Sequence, residues 1–294
     1  RGLVGSEMCI RDRSILREFT AAKIKTEVLI LNPGEKTKSW YNLKKIAEWL
    51  ISNKVERNDY VLSFGGGVIG DLTGFATSIV RRGINIIHMP TTLLAQVDSS
   101  IGGKTGINSL KGKNLIGTFH HPALILSDIS FLSTLKRREF LSGYSEVVKK
   151  ALIKDHDFFG WLEQMDYKDL REENNVTNII YKSSKIKVKL VQQDEKEKGQ
   201  RALLNFGHTF AHALESANNY ANNLLHGEAV IIGCCLALKL SREYNLISTN
   251  ESKRVVNHFK KLNYITEINH IKSSVFNLSL IHISEPTRPL YISY

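Results

Sequence analysis

The sequence predicts an α/β N-terminal domain built on a parallel sheet, followed by an all-α C-terminal domain that binds metal. Three observations predict this. Short apolar runs ended by glycine or proline alternate with helical patterns as far as about residue 130. Beyond that point the periodicity stays near 3.6 and turn signals thin out. Three histidines, His208, His212 and His226, then fall close together in LLNFGHTFAHALE (203–215) and LLHGEAV (224–230).

The elements follow in order. EVLILNPG (27–34) reads as a strand running into a turn, and WYNLKKIAEWLISN (40–53) has apolar residues at helical spacing. DYVLSF (59–64) is an apolar run of strand length ending at three glycines. VIGDLTGFATSIVRR (68–82) is helical in pattern, and INIIHMP (84–90) is a strand closed by proline. Such alternation specifies a parallel sheet covered by helices, whose ligands bind beyond the carboxyl ends of the strands. The loops after Phe64 and Met89 are therefore the places to look. Domain boundaries are expected at 14–130 for the sheet and 131–277 for the helices.

The two ends lie outside this pattern. RGLVGSEMCIRDR (1–13) shows neither helical nor strand periodicity and lacks the features of a signal peptide. LSLIHISEPTRPLYISY (278–294) is equally unpatterned. Both resemble translated sequencing-adapter read-through and are expected to be non-native, which leaves the two domains truncated at their outer ends.

Composition bounds the function. The chain has 294 residues, 42% hydrophobic and 23% charged, ordinary for a globular protein. No apolar run approaches a membrane span; AVIIGCCLAL is a buried helix by length. Three cysteines, two of them adjacent, do not make a disulfide framework, so a cytoplasmic location is expected. The formal charge is +11, but the lysines are scattered apart from KIKVK (185–189), which argues against nucleic acid as partner.

FGGGVIGD (64–71) carries Gly65, Gly67 and Gly70 in the G-x-G-x-x-G pattern, after a strand and before a helix. Glycine there lets backbone N–H groups approach a pyrophosphate, and the helix start adds partial positive charge. The acidic residue expected at the end of the next strand is missing, so the sheet is Rossmann-like without the full fingerprint. DSSIGGKTG (98–106) imitates a P-loop, but Asp98 replaces the first glycine, which argues against an ATPase. What remains is a glycine-flexed loop with Lys104, and KGKN (111–114) close behind, suited to a phosphate or carboxylate ligand.

In the helical half, REFLSGYSEVVKK places Glu146, Lys149 and Lys150 on a helix following Gly143, and 183–199 reads as a long polar helix ending near Gly199. His208 and His212 stand at i and i+4, a metal-ligand spacing, with no glutamate between them, so a zincin protease is excluded. His226 or Glu228 could supply a third ligand. Spacing favours the pair His208 and His212, but does not say which three of His208, His212, His226, Glu146 and Glu228 are used.

Taken together the motifs resemble the 3-dehydroquinate synthase family. The resemblance runs from NPGEKTK (32–38) through SFGGGVIGDLTGF, MPTTLLAQVDSSIGGKTGIN, GKNLIGTFHHP, FLSTLKRREFLSGYSEVVK and DEKEKGQRALLNFGHTFAHALE to LHGEAV. It implies an enzyme that is NAD- and metal-dependent, with Zn2+ or Co2+ held by Glu146, His208 and His226. His212 would then face the substrate in an acid–base or binding role. NAD would lie against Glu35, Lys38, Gly67, Val68, Ile69, Gly70, Asp71, Thr91, Thr92, Lys104, Lys113, Phe131, Leu132, Ser133 and Thr134. Substrate would meet Asp98, Lys104, Asn114, Lys149, Lys187, Arg201, Asn205 and His212.

The implied reaction converts 3-deoxy-D-arabino-heptulosonate 7-phosphate to 3-dehydroquinate and phosphate in the shikimate pathway, a carbon–oxygen lyase reaction. It proceeds by transient oxidation with NAD, phosphate elimination, re-reduction and aldol cyclisation. Partners expected from the resemblance are a phosphorylated, carboxylated sugar and a second copy of the chain, with no nucleic acid and no membrane. The alternatives are a related sugar-phosphate cyclase of the 2-deoxy-scyllo-inosose or valiolone type, or a metal-dependent alcohol or glycerol dehydrogenase. Ala211 stands where the family commonly has glycine. The family's late D-K-K segment has no counterpart and its opening strands are largely absent, so weak or absent activity is expected of this chain.

Overall fold

In the computed structural model, residues 2–6, 10–217 and 224–267 are described, apart from the side chains of 2, 3, 6 and 10–14. They fall into two compact units, Arg1–Leu135 and Lys136–Tyr294. The expected tail 278–294 lies outside the described residues.

The first unit is an α/β layer structure. Its strands are β1 (Gly2–Ser6), β2 (Glu27–Leu31), β3 (Tyr60–Gly65) and β4 (Asn85–Pro90), followed by the hairpin β5 (Lys104–Ser109) and β6 (Gly112–Phe119), and by β7 (Leu124–Ile125). Its helices are α1 (Ile10–Ala21), α2 (Trp40–Ser52) and α3 (Gly67–Ile79). The main sheet is parallel throughout, in the order β2-β1-β3-β4-β7. Strand β3 is buried from Val61 to Gly65, as an interior parallel strand must be when both faces are covered. The order of connection reverses between β1 and β3, so the crevice at this switch point opens beside the glycine loop that follows β3.

Residues 2–6 correct one expectation. The sequence shows no strand periodicity there, yet Gly2–Ser6 pairs with β2 on one side and β3 on the other. A short strand paired on both edges needs no alternating pattern, because its backbone rather than its side chains makes the ladder. The segment's origin is a separate matter from its pairing.

Helix α2 begins at a Ser39 cap, whose hydroxyl accepts from the Asn42 amide, and buries Leu43, Ile46 and Leu50 against the sheet. Helix α3 ends at Ile79, three residues short of the expected 82. Arg81 and Arg82 there take positive φ values of 54° and 63°, which no helix continues.

The second unit is helical, with no strand among the described residues. It comprises α4 (Arg137–Lys154), α5 (His156–Leu162), α6 (Glu173–Gln193), α7 (His208–Ala217), α8 (His226–Glu243) and α9 (Thr249–Lys261). Every residue of α4 from Phe140 to Ala151 is buried, so this helix forms the axis of the unit. Gly143 lies inside α4 rather than ahead of it. Helix α8 packs on both α4 and α7, and α9 packs on α8. Helix α6 starts ten residues before the expected 183 and stops at Gln193. Asp194 then takes over the chain: its carboxylate accepts from the amides of Lys198, Gly199 and Arg201, folding 194–201 into a tight loop.

Candidate metal centre and cofactor loop

The metal centre grows from two close helix approaches in the second unit. A Cβ on Gly227 would stand 2.0 Å from the Ser142 carbonyl oxygen, so α8 meets α4 at hydrogen-only distance. The Gly227 amide donates to Ser142 Oγ at 3.0 Å. One residue before Gly227 is His226, and one turn beyond Ser142 is Glu146. Likewise Gly207, at φ +76°, and Gly233 press the start of α7 onto α8, where a Cβ on Gly233 would meet the Gly207 carbonyl at 2.1 Å. This second approach delivers His208.

Glu146, His208 and His226 converge, with one ligand atom from each lying within 4.8 Å of the others. Glu146 Oε1 is 3.8 Å from His208 Nε2 and 3.7 Å from His226 Nε2. Ligands of a tetrahedral zinc with bonds of about 2.0–2.1 Å stand roughly 3.3–3.4 Å apart. A closing of a few tenths of an ångström would therefore suffice, and the donor set, one carboxylate and two imidazoles, fits a divalent ion. Glu146 is fully buried, and Lys149 Nζ lies 2.9 Å from Oε1 and 2.7 Å from Oε2. A carboxylate buried that deeply costs several kcal/mol unless it is paired, so Lys149 is part of what holds it there.

The two imidazoles differ. Burial, reinforced by the Lys149 ammonium, holds His208 well below its ordinary value despite the pull of Glu146, so it is neutral. His208 Nδ1 lies 3.3 Å from the Phe206 carbonyl oxygen. For His226 burial works downward, but hydrogen bonds and charge from Glu146 and Glu215 outweigh it and push the ring up to about 10.

His212 is exposed and outside this cluster, its ring edge-on to His208 with centroids 5.3 Å apart. Four residues of helix bring the two rings adjacent, but His212 is not a member of the ligand group. The geometry thus keeps His208 and joins to it His226 and Glu146, rather than the His212 that spacing favours. Glu228 is engaged elsewhere: it accepts the Leu225 amide at the start of α8 and pairs bidentately with Arg138 at 2.6 and 2.7 Å.

The buried cations of this unit were hidden in surface-like sequence. Lys187, within KIKVK, is buried because it falls on the same stripe of α6 as Ile180, Ser183 and Leu190. Arg201 is 2% exposed, and its guanidinium donates to the Glu195 carbonyl oxygen. Asn205 donates to Glu197 Oε1 at 3.0 Å. The Asp194 loop therefore sets both Arg201 and Asn205.

In the first unit the glycine loop sits where the strands end. No side chain caps α3 at Gly66. A Cβ on Gly67 would lie 2.7 Å from Ser99 Oγ, and one on Gly66 3.3 Å from Thr92 Cγ2. The Thr91 amide donates to the Gly65 carbonyl at 3.0 Å. Val68, Ile69, Gly70 and Asp71 make the first turns of α3. Phe131 packs edge-on against Phe64 at 5.2 Å, which brings the turn holding Leu132, Ser133 and Thr134 onto the end of β3.

A second group forms around Lys38, which is 4% exposed. Its ammonium donates to Asp71 Oδ2 at 2.6 Å and to Asn114 Oδ1. Asn108, which sequence reasoning missed, joins the group: it donates to Glu35 Oε1 at 2.7 Å and accepts from the Asn114 amide at 3.0 Å. Glu35, Lys38, Asp71 and Asn114 are thus one network, drawn from three separate segments.

The expected lysine-bearing loop at 98–114 is a different structure. Residues Ala95–Ser99 form a π-helical turn that includes Asp98, and Lys104 opens β5. Lys104 pairs with Phe119, whereas Lys111 and Lys113 lie at the hairpin turn, where Ser109 pairs with Gly112. Five residues of strand separate the two ends, about 17 Å at 3.4 Å per residue. Nearness in sequence therefore does not gather these lysines.

Comparison with known proteins bears on both units. Residues 28–142 match the family described as 3-dehydroquinate synthase N-terminal, and residues 143–282 match 3-dehydroquinate synthase C-terminal. This chain belongs to the 3-dehydroquinate synthase family. A curated 3-dehydroquinate synthase from Jannaschia sp. (strain CCS1) is 54% identical over 244 residues, which are 81% of this chain and 65% of that protein. The chain spans about two thirds of the length of the curated relatives it matches. Among solved structures, 2-epi-5-epi-valiolone synthase from Streptomyces hygroscopicus, with NAD+ and Zn2+ bound, is 28% identical with a TM-score of 0.86, covering 96% of this chain and 79% of that one. A 2-deoxy-scyllo-inosose synthase complexed with carbaglucose-6-phosphate, NAD+ and Co2+ is 25% identical with a TM-score of 0.88, covering 97% and 78%. These similarities agree with an α/β sheet followed by a helical region in the 3-dehydroquinate synthase family.

Proposed function

We propose that this chain carries the 3-dehydroquinate synthase reaction, releasing phosphate from 3-deoxy-D-arabino-heptulosonate 7-phosphate and closing the carbocycle of 3-dehydroquinate. The observation that supports it most is the Glu146–His208–His226 cluster with Lys149 on its carboxylate, in a chain 54% identical to a 3-dehydroquinate synthase. When bound, Zn2+ or Co2+ at the cluster would supply Lewis acidity, and NAD+ at the glycine loop would supply a hydride acceptor that is restored within one turnover.

The chain's own residues then have distinct tasks. Lys149, Lys187 and Arg201 are buried cations suited to a ligand bearing phosphate and carboxylate. Asn205, held by Glu197, offers a polar contact of fixed orientation. His212, exposed beside His208, is assigned an acid–base or binding role toward the substrate. In the sheet unit, Asp98, Lys104 and Asn114 are assigned to substrate. Glu35, Lys38, the Gly67–Asp71 turn, Thr91, Thr92, Lys104, Lys113 and the Phe131–Thr134 turn are assigned to NAD. A homodimer located in the cytoplasm, acting on a small molecule rather than on nucleic acid or membrane, completes the reading. No helix among the described residues is long and apolar enough to cross a membrane.

The valiolone and inosose cyclases are the second reading, supported by TM-scores of 0.86 and 0.88 at 28% and 25% identity. The test is release of inorganic phosphate from the heptulosonate phosphate in the presence of Zn2+ and NAD+, with glucose 6-phosphate as the competing substrate. Release from the heptulosonate alone, slow in this chain and without growth of NADH absorbance, is expected. Release from glucose 6-phosphate instead would move the assignment to the second reading. Steady accumulation of NADH would move it to a dehydrogenase.

A further inference from the structure

We infer that Glu215 is a positioning residue of the metal centre, its carboxylate accepting the Nδ1–H of His226 and so turning Nε2 toward the ion. The His226 ring is suspended between two carboxylates. Its Nε2 faces Glu146 Oε1 at 3.7 Å, and its Nδ1 faces Glu215 Oε1 at 3.4 Å. Glu215 is 6% exposed, too deeply buried for a solvated surface charge. It stands on α7 seven residues after His208, two turns on and on the same face, which is why one helix reaches both ligand imidazoles.

The two imidazole ligands are supported in parallel but unequally. Behind His208 stands a neutral acceptor, the Phe206 carbonyl oxygen, at 3.3 Å from Nδ1. Behind His226 stands a charged one. A carboxylate behind a ligating imidazole fixes its tautomer and raises its basicity, and its loss typically costs about 10- to 100-fold in metal affinity.

This inference rests on the metal reading of the Glu146–His208–His226 cluster. The test is titration of the metal-free protein with Zn2+ and with Co2+, following the visible absorption of bound Co2+, for the parent chain, Glu215→Gln and Glu215→Ala. Circular dichroism of each metal-free variant checks that the helices are kept. Metal affinity is expected to fall about 10-fold in Glu215→Gln and up to about 100-fold in Glu215→Ala, with a displaced Co2+ spectrum. If Glu215→Ala does not fold, Glu215→Gln, which keeps the size of the side chain, decides. Parent-like affinity and spectrum in Glu215→Gln would overturn the role of Glu215 while leaving the metal centre intact. A parent chain that takes up neither ion would overturn the metal reading itself.

Discussion

Gly227 donates its amide to Ser142 Oγ at 3.0 Å, and a Cβ added to Gly227 would stand 2.0 Å from the Ser142 carbonyl oxygen and 2.5 Å from its Cα. The obstruction is backbone on both sides, which no rotamer change relieves. His226 and Glu146 approach each other because α8 and α4 cross at this point. Gly227→Ala is therefore expected to destabilise the helical unit by about 3 kcal/mol, the upper end of overpacking costs, and to lose bound zinc. Denaturant midpoints and zinc content after dialysis measure the two effects. A variant as stable and as metal-loaded as the parent would show that the crossing does not hold the site.

The neighbouring histidines are expected to separate by role. His208→Ala removes a member of the cluster and should leave the protein with almost no bound metal. His212→Ala should retain metal at parent stoichiometry and lose about 100-fold or more in turnover, the usual range for a proton-transfer group. Metal analysis alongside phosphate release distinguishes them. Equal loss of the ion in both variants would contradict the division.

Lys38 carries the network at the glycine loop. Asp71→Asn would leave its buried ammonium facing only amide oxygens. Breaking a fully buried pair costs about 3–5 kcal/mol; because Asp71 is 20% exposed, about 2–3 kcal/mol is expected here. NAD+ affinity, read by calorimetry, should fall at least about 10-fold, since the same network orients Glu35 and Asn114. Unchanged stability with unchanged NAD+ binding would remove Lys38 from the proposed cofactor site.

Acid should destabilise both units through two buried imidazoles. Burial, assisted by His120, pushes His88 down to about 4, and its Nδ1 lies 2.6 Å from Ser63 Oγ. Burial, with Lys261 adding and Glu163 opposing, pushes His258 down to about 4, its Nε2 meeting the Tyr144 hydroxyl at 3.1 Å. Unfolded, each ring takes a proton near its ordinary 6.5; folded, only near 4. Their contribution is therefore complete above about pH 6.5 and declines as the pH falls toward 4. Between pH 7 and 4.5 the loss is on the order of 2–3 kcal/mol per ring. Denaturation at the two pH values should show a shallower decline in His88→Gln than in the parent, and an identical decline would rule this ring out.

Much of the fold was readable before any coordinates. The runs at 27–34, 59–64 and 84–90 became β2, β3 and β4 because short apolar segments closed by glycine or proline have little other use in an alternating chain. The helix at 40–53 followed from its apolar spacing, and the glycine loop from its place between a strand and a helix. Lys187 was also within reach, since it falls at helical spacing with Ile180 and Leu190, but its charged neighbours in KIKVK masked the stripe. Glu215 gave a similar signal at i+7 from His208.

By itself the sequence determined the sheet-then-helices order, the residue types able to bind a dinucleotide and a metal, and, through its long resemblance, the family. Tertiary structure decided which of those residues meet. Glu146 and His226 are 80 residues apart, and no periodicity relates them; the crossing of α4 and α8 at Gly227 does. Lys104 and Lys113 are neighbours in sequence, yet the β5–β6 hairpin sends them to opposite ends. Local pattern reports how a segment buries its apolar face, whereas a site is made by where two such segments touch, and that depends on backbone approach distances set only when the helices and strands pack.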